Sequence, residues 1–265
     1  MKNRIDAKFS QLKKAKKKAF IVFIMAGDPN IETTKRLVLE FDRIGVDIVE
    51  LGVAFSDPLA DGPIIQAAGQ RALKNKINLS KILQLVKGIR EKSEIPIALM
   101  TYYNPVFRFG EKKFLLEAKK AGVDGIIIPD MVPEEARDII STAKKINLAN
   151  ILFVAPTSSK ERIKMVSGLS TGFIYYVSLA GVTGVRKSLA SDLSTKVSQI
   201  KRFTKKPVCV GFGISNAGHV KEISGVADGV IVGSAIVDKI KANLKNKDLV
   251  KRVAQYVKQL NNPLK

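Results

Sequence analysis

Eight apolar, β-branched runs recur along the 265 residues, and charged segments with helical periodicity lie between them. Alternation of continuous apolar strands with helices predicts parallel pairing and a sheet covered on both faces. Eight such units predict a closed (β/α)8 barrel, which a chain of this length commonly forms as one domain. The predicted strands are Phe20–Met25, Asp47–Gly52, Ile97–Met100, Gly125–Ile128, Ile151–Val154, Phe173–Val177, Val208–Phe212 and Gly229–Val232.

An open, doubly wound sheet is the alternative architecture. Its Gly-rich fingerprint is missing after the first strand, where Ala26-Gly27-Asp28-Pro29 stands. No linker or repeat divides residues 1–265, so a single barrel domain is expected. The predicted helices are Glu32–Ile44, Ser80–Lys92, Glu111–Ala121, Glu134–Ile146, Ser159–Gly168, Leu193–Phe203, Asn216–Ile223 and Leu249–Leu260, and Gly62-Pro63 begins another helix-like segment.

The basic segment 1–18 places Ile5, Phe9 and Leu12 at helical spacing. This pattern predicts an amphipathic helix that caps the apolar bottom of the barrel. A basic amphipathic helix can also lie on a membrane surface, but three apolar anchors favour the capping role. The apolar run that follows, residues 19–26, is too short to span a membrane.

The net charge of +21 raises nucleic acid as a partner. The lysines are scattered along predicted helices, and no aromatic-interleaved basic motif, zinc spacing or helix-turn-helix signal accompanies them. A solvated lysine-rich surface without specific nucleic-acid or membrane binding is therefore the favoured interpretation. The single cysteine, Cys209, excludes an internal disulfide and indicates a buried thiol in a reducing, cytoplasmic compartment.

Residues 48–66 concentrate acidic side chains at the end of a buried strand. Glu50 lies within the apolar run, and Asp57 and Asp61 follow in the loop before Gly62-Pro63. An ionised acid in an apolar strand is disfavoured unless paired, so Glu50 should have a raised pKa or face a cavity, and both suit proton transfer. The alternative is a structural Glu50 bonded to backbone or to a lysine at the barrel rim.

Catalytic groups of such barrels gather at the carboxyl ends of the strands. Glycine clusters follow the last two predicted strands there, at 211–215 and 233–234, and both precede helices whose backbone N–H groups can hold phosphate. Tight turning by glycine is the alternative. The only histidine, His219, lies in a helix-like segment without metal-ligand spacing, which leaves the chemistry to carboxylates and indicates a surface or helix-packing role for the imidazole.

The segment Glu50-Leu51-Gly52, followed by Phe55-Ser56-Asp57-Pro58-Leu59-Ala60-Asp61-Gly62-Pro63, resembles the signature of the tryptophan synthase alpha chain family. The resemblance extends over nearly the full length. It continues through Ala26-Gly27-Asp28-Pro29, Tyr102-Tyr103-Asn104-Pro105, Pro129-Asp130, Gly181-Val182-Thr183-Gly184, Gly211-Phe212-Gly213-Ile214-Ser215 and Gly233-Ser234-Ala235-Ile236-Val237.

The resemblance implies cleavage of indole-3-glycerol phosphate to indole and glyceraldehyde 3-phosphate, without cofactor or metal. By the family pattern Glu50 protonates the indole carbon and helps remove the hydroxyl proton, Asp61 polarises the indole N–H, and Tyr175 assists. Thr183 would position Asp61 when the site closes. The same pattern assigns Gly184, Gly213, Gly233 and Ser234 to phosphate, and Phe23, Met100, Ile127, Phe212 and Ile231 to the indole pocket, although these last five suit an ordinary barrel core equally well.

The family also implies a partner, a pyridoxal-phosphate beta chain in an alpha2beta2 heterotetramer that receives the indole. Asp57, Asn104 and Asp130 match partner-facing positions. Val22 and Ala54 stand where the family commonly has Pro, and Ile64 replaces a usual Thr, which bears on the stiffness of the loop after the second strand. A different sugar-phosphate barrel enzyme and a non-catalytic activator of a beta chain are the alternative functions.

Overall fold

The computed structural model describes residues 3–177, 186–211 and 213–264, with the backbone alone over 186–192. Within these ranges all strand pairs are parallel and belong to one sheet. The strands β1 to β9 are Ala19–Met25, Ile48–Gly52, Ile97–Met100, Gly125–Ile127, Ala149–Asn150, Leu152–Val154, Ile174–Val177, Val208–Gly211 and Gly229–Val232. Their order in the sheet is β5-β4-β3-β2-β1-β9-β8-β7-β6.

The two ends of this row meet within one stretch of chain. Only Ile151 separates β5 from β6, and β5 pairs with β4 while β6 pairs with β7. The N–H of Ile151 donates to the carbonyl of Ile126 at 3.0 Å, and the N–H of Thr171 donates to the carbonyl of Asn150 at 2.8 Å. One segment thus pairs on both sides, so β5 and β6 act as a single fifth strand that closes a (β/α)8 TIM barrel, as the sequence predicts.

Helices cover the outside of this barrel. Several begin at an Asn or Ser whose side chain accepts from a backbone N–H of the first turn, as Asn30 does from Thr33 at 2.8 Å. Such a cap typically stabilises by about 1 kcal/mol. The helices α1 to α12 are Arg4–Lys14, Ile31–Arg43, Pro63–Lys74, Leu79–Arg90, Tyr103–Phe109, Glu111–Ala121, Arg137–Lys145, Lys160–Leu169, Arg186–Lys201, Ala217–Ser224, Ser234–Lys241 and Leu249–Asn261, and a 3-10 turn spans Asn262–Leu264.

Three predicted boundaries were wrong by more than two residues. Helix α9 begins at Arg186 rather than 193, because the charged and small residues before Leu193 carry little apolar periodicity. Helix α7 begins three residues later than predicted, and α1 ends at Lys14 rather than 18. Helix α5 was not predicted at all. Its Pro105 lies in the first turn, where the missing N–H has no helical partner to lose.

The strands divide their side chains between two apolar regions. Alternate residues face the barrel interior, where Ile21, Ile48, Ala98, Cys209 and Ile231 pack together. The other residues of each strand face the helices in larger clusters. This alternation puts Glu50 inside the barrel, since it has the parity of Ile48.

Helix α1 closes the amino-terminal end of the barrel. Its Ile5, Phe9 and Leu12 are buried in the interior cluster, and the Phe9 and Phe173 ring centroids are 5.8 Å apart. The predicted amphipathic helix is therefore confirmed in kind, with its apolar stripe against the barrel floor. The side chain of Asn3 caps it by accepting from the N–H of Ile5 at 2.9 Å.

Candidate active site

Glu50 occupies the middle of β2, third of five residues rather than the strand end that the sequence suggested. Its Cα is paired in register with Phe23 on β1 and with Ala98 on β3. The next residue of the same parity, Gly52, lies one step closer to the carboxyl end. A Cβ at Gly52 would come 2.6 Å from the Phe23 ring, so this glycine leaves space for an aromatic wall above Glu50.

The carboxyl group of Glu50 is buried without compensation. Its residue exposure is 0%, and neither carboxylate oxygen has a hydrogen-bond partner among the residues that the structure describes. Burial raises the pKa of Glu50 to about 8, from an ordinary value of 4.5. The structural alternative, a Glu50 satisfied by backbone or by a rim lysine, is therefore not what the described part of the chain shows. A carboxyl group with this pKa can both donate and accept a proton near neutral pH.

Tyr175 lies on β7 and presents its hydroxyl to the same interior. Its ring packs against Phe153, with centroids 4.8 Å apart, and a Cβ at Gly211 would come 2.6 Å from its oxygen. Burial raises the pKa of Tyr175 well above its ordinary value, and the charge on Glu50 raises it further. Tyr175 and Glu50 thus interact electrostatically, and the phenol keeps its proton.

Asp61 lies in the loop between β2 and α3 and lines a small cavity at the carboxyl end of the barrel. The cavity is narrow in this structure, with room for about one water molecule. Burial raises the pKa of Asp61 to about 6, and a hydrogen bond from the Tyr102 hydroxyl opposes this rise. The lining residues are Phe23, Met25, Gly52, Val53, Asp61, Met100, Thr101 and Tyr102.

The predicted indole-pocket residues fall into three groups. Phe23 and Met100 line the cavity beside Asp61. Ile127 and Ile231 are buried in the barrel interior and are not among the cavity lining, so their place in the pocket stays a prediction. The fifth, Phe212, lies outside the described residues. Thr183 and Gly184, which were predicted to position Asp61 and to bind phosphate, also lie outside them.

The predicted phosphate residues lie at the carboxyl ends of two neighbouring strands, β8 and β9. Gly213 follows β8 with a φ of +66°, a conformation that favours glycine. Gly233 is the N-cap of α11, and Ser234 is its first, exposed residue. Among the described residues, the N–H groups of Ser234 and Ala235 at the start of α11 have no backbone acceptor, so this end of the helix suits an anion.

Sequence reasoning missed Tyr102 as a site residue. Its side chain is buried, lines the same cavity as Asp61 and lowers the pKa of that carboxyl group. Tyr102 follows Met100 by two residues, so alternation beyond the end of β3 was the available signal. The hydrogen bond itself joins two loops far apart in sequence, which no local pattern reveals.

The three predicted partner-facing residues are exposed and lie on the connections that follow β2, β3 and β4, at the carboxyl end of the barrel. Asp57 follows β2, Asn104 lies on α5 after β3, and Asp130 follows β4, where it accepts from the N–H of Tyr103 at 2.9 Å. Large apolar side chains are exposed on the same three connections. Leu59 is 83% exposed, Phe107 65% and Val132 42%.

The remaining sequence features lie away from this cavity. His219 is half-buried on α10, where its backbone N–H and its ring both contact the cap residue Asn216. In the described part of the chain, no helix is long and apolar enough to cross a membrane, and no three His, Cys, Asp or Glu side chains are grouped as metal ligands. Val22 and Ala54 are buried, whereas Ile64 is exposed at the start of α3.

A closed parallel barrel whose interior acid has no partner among the described residues, with a second carboxylate at its carboxyl-terminal cavity, has the layout of a TIM-barrel enzyme. The family profile described as "Tryptophan synthase alpha chain" matches residues 9–265. The chain therefore belongs to the tryptophan synthase alpha chain family. It is a lyase of tryptophan biosynthesis, and the reaction of this family is cleavage of indole-3-glycerol phosphate.

Individual relatives agree with this assignment. The chain is 47% identical to the tryptophan synthase alpha chain of Caldanaerobacter subterraneus, covering 99% of this chain and 100% of that one. A crystal structure of the alpha subunit from Legionella pneumophila is 35% identical, with a TM-score of 0.93 over 100% and 99% of the two chains. A tryptophan synthase structure from M. tuberculosis is 29% identical, with a TM-score of 0.88 over 99% and 100%. Proteins of this family normally pair with a beta chain.

Proposed function

We propose that Glu50 is the proton donor and acceptor for cleavage of indole-3-glycerol phosphate. The observation that carries this role is a carboxyl group buried inside the barrel with both oxygens unpartnered among the described residues. With a pKa raised to about 8, Glu50 holds a proton at neutral pH and can release it. Such groups are uncommon in purely structural positions, because an unpaired buried acid is costly.

The retro-aldol step needs two proton movements and one bond cleavage. Glu50 delivers its proton to the indole carbon that carries the glycerol chain, and the resulting carboxylate then takes the proton of the adjacent hydroxyl group. The carbon–carbon bond breaks as that hydroxyl becomes the aldehyde of glyceraldehyde 3-phosphate. Glu50 regains its proton, so the chain is unchanged after one turnover.

Asp61 is proposed to polarise the ring N–H while charge develops on the indole. Its carboxylate faces the cavity beside the apolar walls formed by Phe23 and Met100, which suit a flat aromatic ring. Tyr175 assists from the opposite side of the interior, where its hydroxyl interacts with Glu50. No cofactor or metal is required by this scheme.

The substrate phosphate is proposed to bind where β8 and β9 end. Gly213, Gly233 and Ser234 bring backbone N–H groups and a hydroxyl to this corner, and the amino-terminal end of α11 adds a favourable dipole. Gly184, Thr183 and Phe212 are proposed to complete the site. The pair of neighbouring strand ends favours anion binding over simple tight turning.

The partner is proposed to be a beta chain in an alpha2beta2 heterotetramer located in the cytoplasm. Support comes from Leu59, Phe107 and Val132, whose apolar side chains are exposed beside Asp57, Asn104 and Asp130 on the face that holds the cavity. Exposed apolar groups rimmed by polar residues mark interaction sites. The single buried thiol of Cys209 suits a reducing compartment.

Release of indole from indole-3-glycerol phosphate tests the assignment, measured with and without a beta chain. We expect turnover by the chain alone and faster turnover with the partner. Leu59→Asp should reduce the partner effect while leaving basal turnover within about twofold. Leu116→Asp is a matched control, because Leu116 is also exposed but lies on α6, away from this face. Absence of indole release under both conditions would contradict the proposed residue roles.

A further inference from the structure

The geometry points to Tyr102 as the residue that positions Asp61 for the reaction, an inference that rests on the proposed function. Tyr102 is the residue before α5 and is 4% exposed. It belongs to the connection after β3, whereas Asp61 belongs to the connection after β2. The Tyr102 hydroxyl bonds to the backbone of Ala60, the residue before Asp61, and this tertiary contact fixes one loop against the other.

The Tyr102 hydroxyl is used in two directions at once. Its oxygen accepts from the N–H of Ala60 at 3.0 Å, and its proton is available to the Asp61 carboxylate, which lines the same cavity and whose pKa it lowers. A phenol has only one proton to donate, so accepting from Ala60 leaves that proton for Asp61. This oxygen atom thus holds the backbone immediately before Asp61 and lies beside the carboxylate in the cavity.

The ring of Tyr102 holds the beginning of the same loop. Its centroid is 5.5 Å from that of Phe55, with the planes tilted by 34°. Residues 55–60 are therefore attached to Tyr102 at both ends, through the Phe55 ring and the N–H of Ala60. Without these contacts the loop would present Asp61 in several orientations, since Leu59 and Ala60 are exposed and contribute no apolar burial.

Tyr103 provides a contrast within the same dipeptide. Its backbone N–H donates to Asp130, and its hydroxyl donates to Glu111 at 2.6 Å, away from the cavity. Tyr103→Phe therefore removes a hydroxyl of the same kind without touching Asp61. It is a matched control for Tyr102→Phe, which keeps the ring and deletes the oxygen.

Four proteins form the test: Tyr102→Phe and Tyr103→Phe, each made with Asp61 intact and in an Asp61→Asn background. With Asp61 intact, Tyr102→Phe should lower kcat for indole release by about 10- to 100-fold with little change in KM, the range for one hydrogen bond to a charged group. Tyr103→Phe should stay within about twofold. In the Asp61→Asn background, Tyr102→Phe should lower kcat by less than about twofold relative to Asp61→Asn alone. A residue that acts through Asp61 has no carboxylate left to position there.

The pH profile gives a second readout that a merely structural role would not move. Among the described residues, Tyr102 is the titratable group that interacts with Asp61, and Asp130 acts in turn on Tyr102. Loss of the hydroxyl removes a hydrogen bond that favours the Asp61 carboxylate, so the limb of the profile that reports Asp61 should move to higher pH in Tyr102→Phe. It should not move in Tyr103→Phe.

A measurement without any Tyr102 variant covers the case in which Tyr102→Phe does not fold. The 13C chemical shift of the Tyr102 ring carbon bearing the hydroxyl should follow the titration of Asp61 near pH 6, and this step should vanish in Asp61→Asn. A missing step in the unsubstituted chain, or equal losses from Tyr102→Phe with and without Asp61, would overturn the positioning role. If Asp61→Asn itself keeps full activity, the proposed function fails instead.

Discussion

Two buried acids, Glu50 and Asp124, differ in whether their carboxyl groups have hydrogen-bond partners. Both are nearly inaccessible, at 0% and 2% exposure, and burial raises the pKa of both. Asp124 lies just before β4 at the amino-terminal end of the barrel. Its carboxylate accepts from Arg90 at 2.8 Å, from the N–H of Ile97 at 2.9 Å and from Arg4 at 3.0 Å. Glu50 has no such partner in the described part of the chain.

The difference shows that burial and the direction of a pKa shift do not by themselves identify a catalytic acid. What separates the two groups is whether the charged form is satisfied. The partners of Asp124 join α1, α4 and β3, so this acid stabilises the end of the barrel that carries no chemistry. Glu50 keeps its hydrogen-bonding capacity for a substrate, which agrees with the separation of activity and stability between the two ends of this fold.

The largest expected effect is on turnover in Glu50→Gln, which keeps the shape of the side chain but removes its titratable proton. We expect kcat to fall by about 10² to 10⁴, the usual contribution of general acid–base catalysis. The free energy of unfolding at pH 4 should change by less than about 1 kcal/mol, because Glu50 is then mostly protonated in both the folded and the unfolded chain. Steady-state indole release and urea unfolding measure the two quantities. Turnover within threefold of the unsubstituted chain would make Glu50 structural.

Asp124→Ala should show the opposite pattern. It leaves the half-buried Arg90 without its carboxylate and the N–H of Ile97 without its acceptor, so we expect a loss of about 3 kcal/mol in the free energy of unfolding. Turnover of the folded fraction should stay within about twofold. Glu94→Gln is the control, because it removes an exposed partner of Arg4 and should cost less than about 1 kcal/mol. Loss of turnover without loss of stability in Asp124→Ala would break the comparison.

The smallest expected effect is a pH dependence of stability that belongs to Glu50. Its folded pKa of about 8 lies above the ordinary 4.5, so the folded chain retains a proton that the unfolded chain has released between these values. The stability contributed by Glu50 is fully present below about pH 4.5 and is lost as pH rises towards 8. Between pH 6 and 8 the unsubstituted chain should lose about 2 kcal/mol relative to Glu50→Gln. Parallel pH curves for the two chains would exclude a raised pKa.

Much of this frame could be predicted from the sequence, because the strands are continuous apolar runs and their number specifies closure. The strands Ile97–Met100 and Gly229–Val232 were predicted to the residue. Glu50 and Asp61 could be singled out from the sequence, because a carboxyl group in or beside a buried apolar strand is unfavourable unless it has a function.

What could not be predicted depends on contacts between distant segments. The sequence does not show that the Asp124 carboxylate has hydrogen-bond partners while Glu50 has none among the described residues. The partners of Asp124 come from α1, α4 and β3, which are distant in sequence. The Tyr102–Asp61 contact was missed for the same reason. The fifth strand is divided at Ile151, where its pairing changes from β4 to β7. This change of partner closes the barrel and depends on the whole sheet rather than on the local sequence.

Direct titration of the Glu50 carboxyl group tests the central claim most closely. Glutamate labelled with 13C at the side-chain carboxyl carbon, with Glu50→Gln used to assign the resonance, gives the protonation of this one group between pH 3 and 10. A midpoint near pH 8 is the predicted result for a buried acid without partners. A midpoint near the ordinary value of 4.5 would show that Glu50 is satisfied or hydrated in solution, and would contradict its assignment as the proton donor.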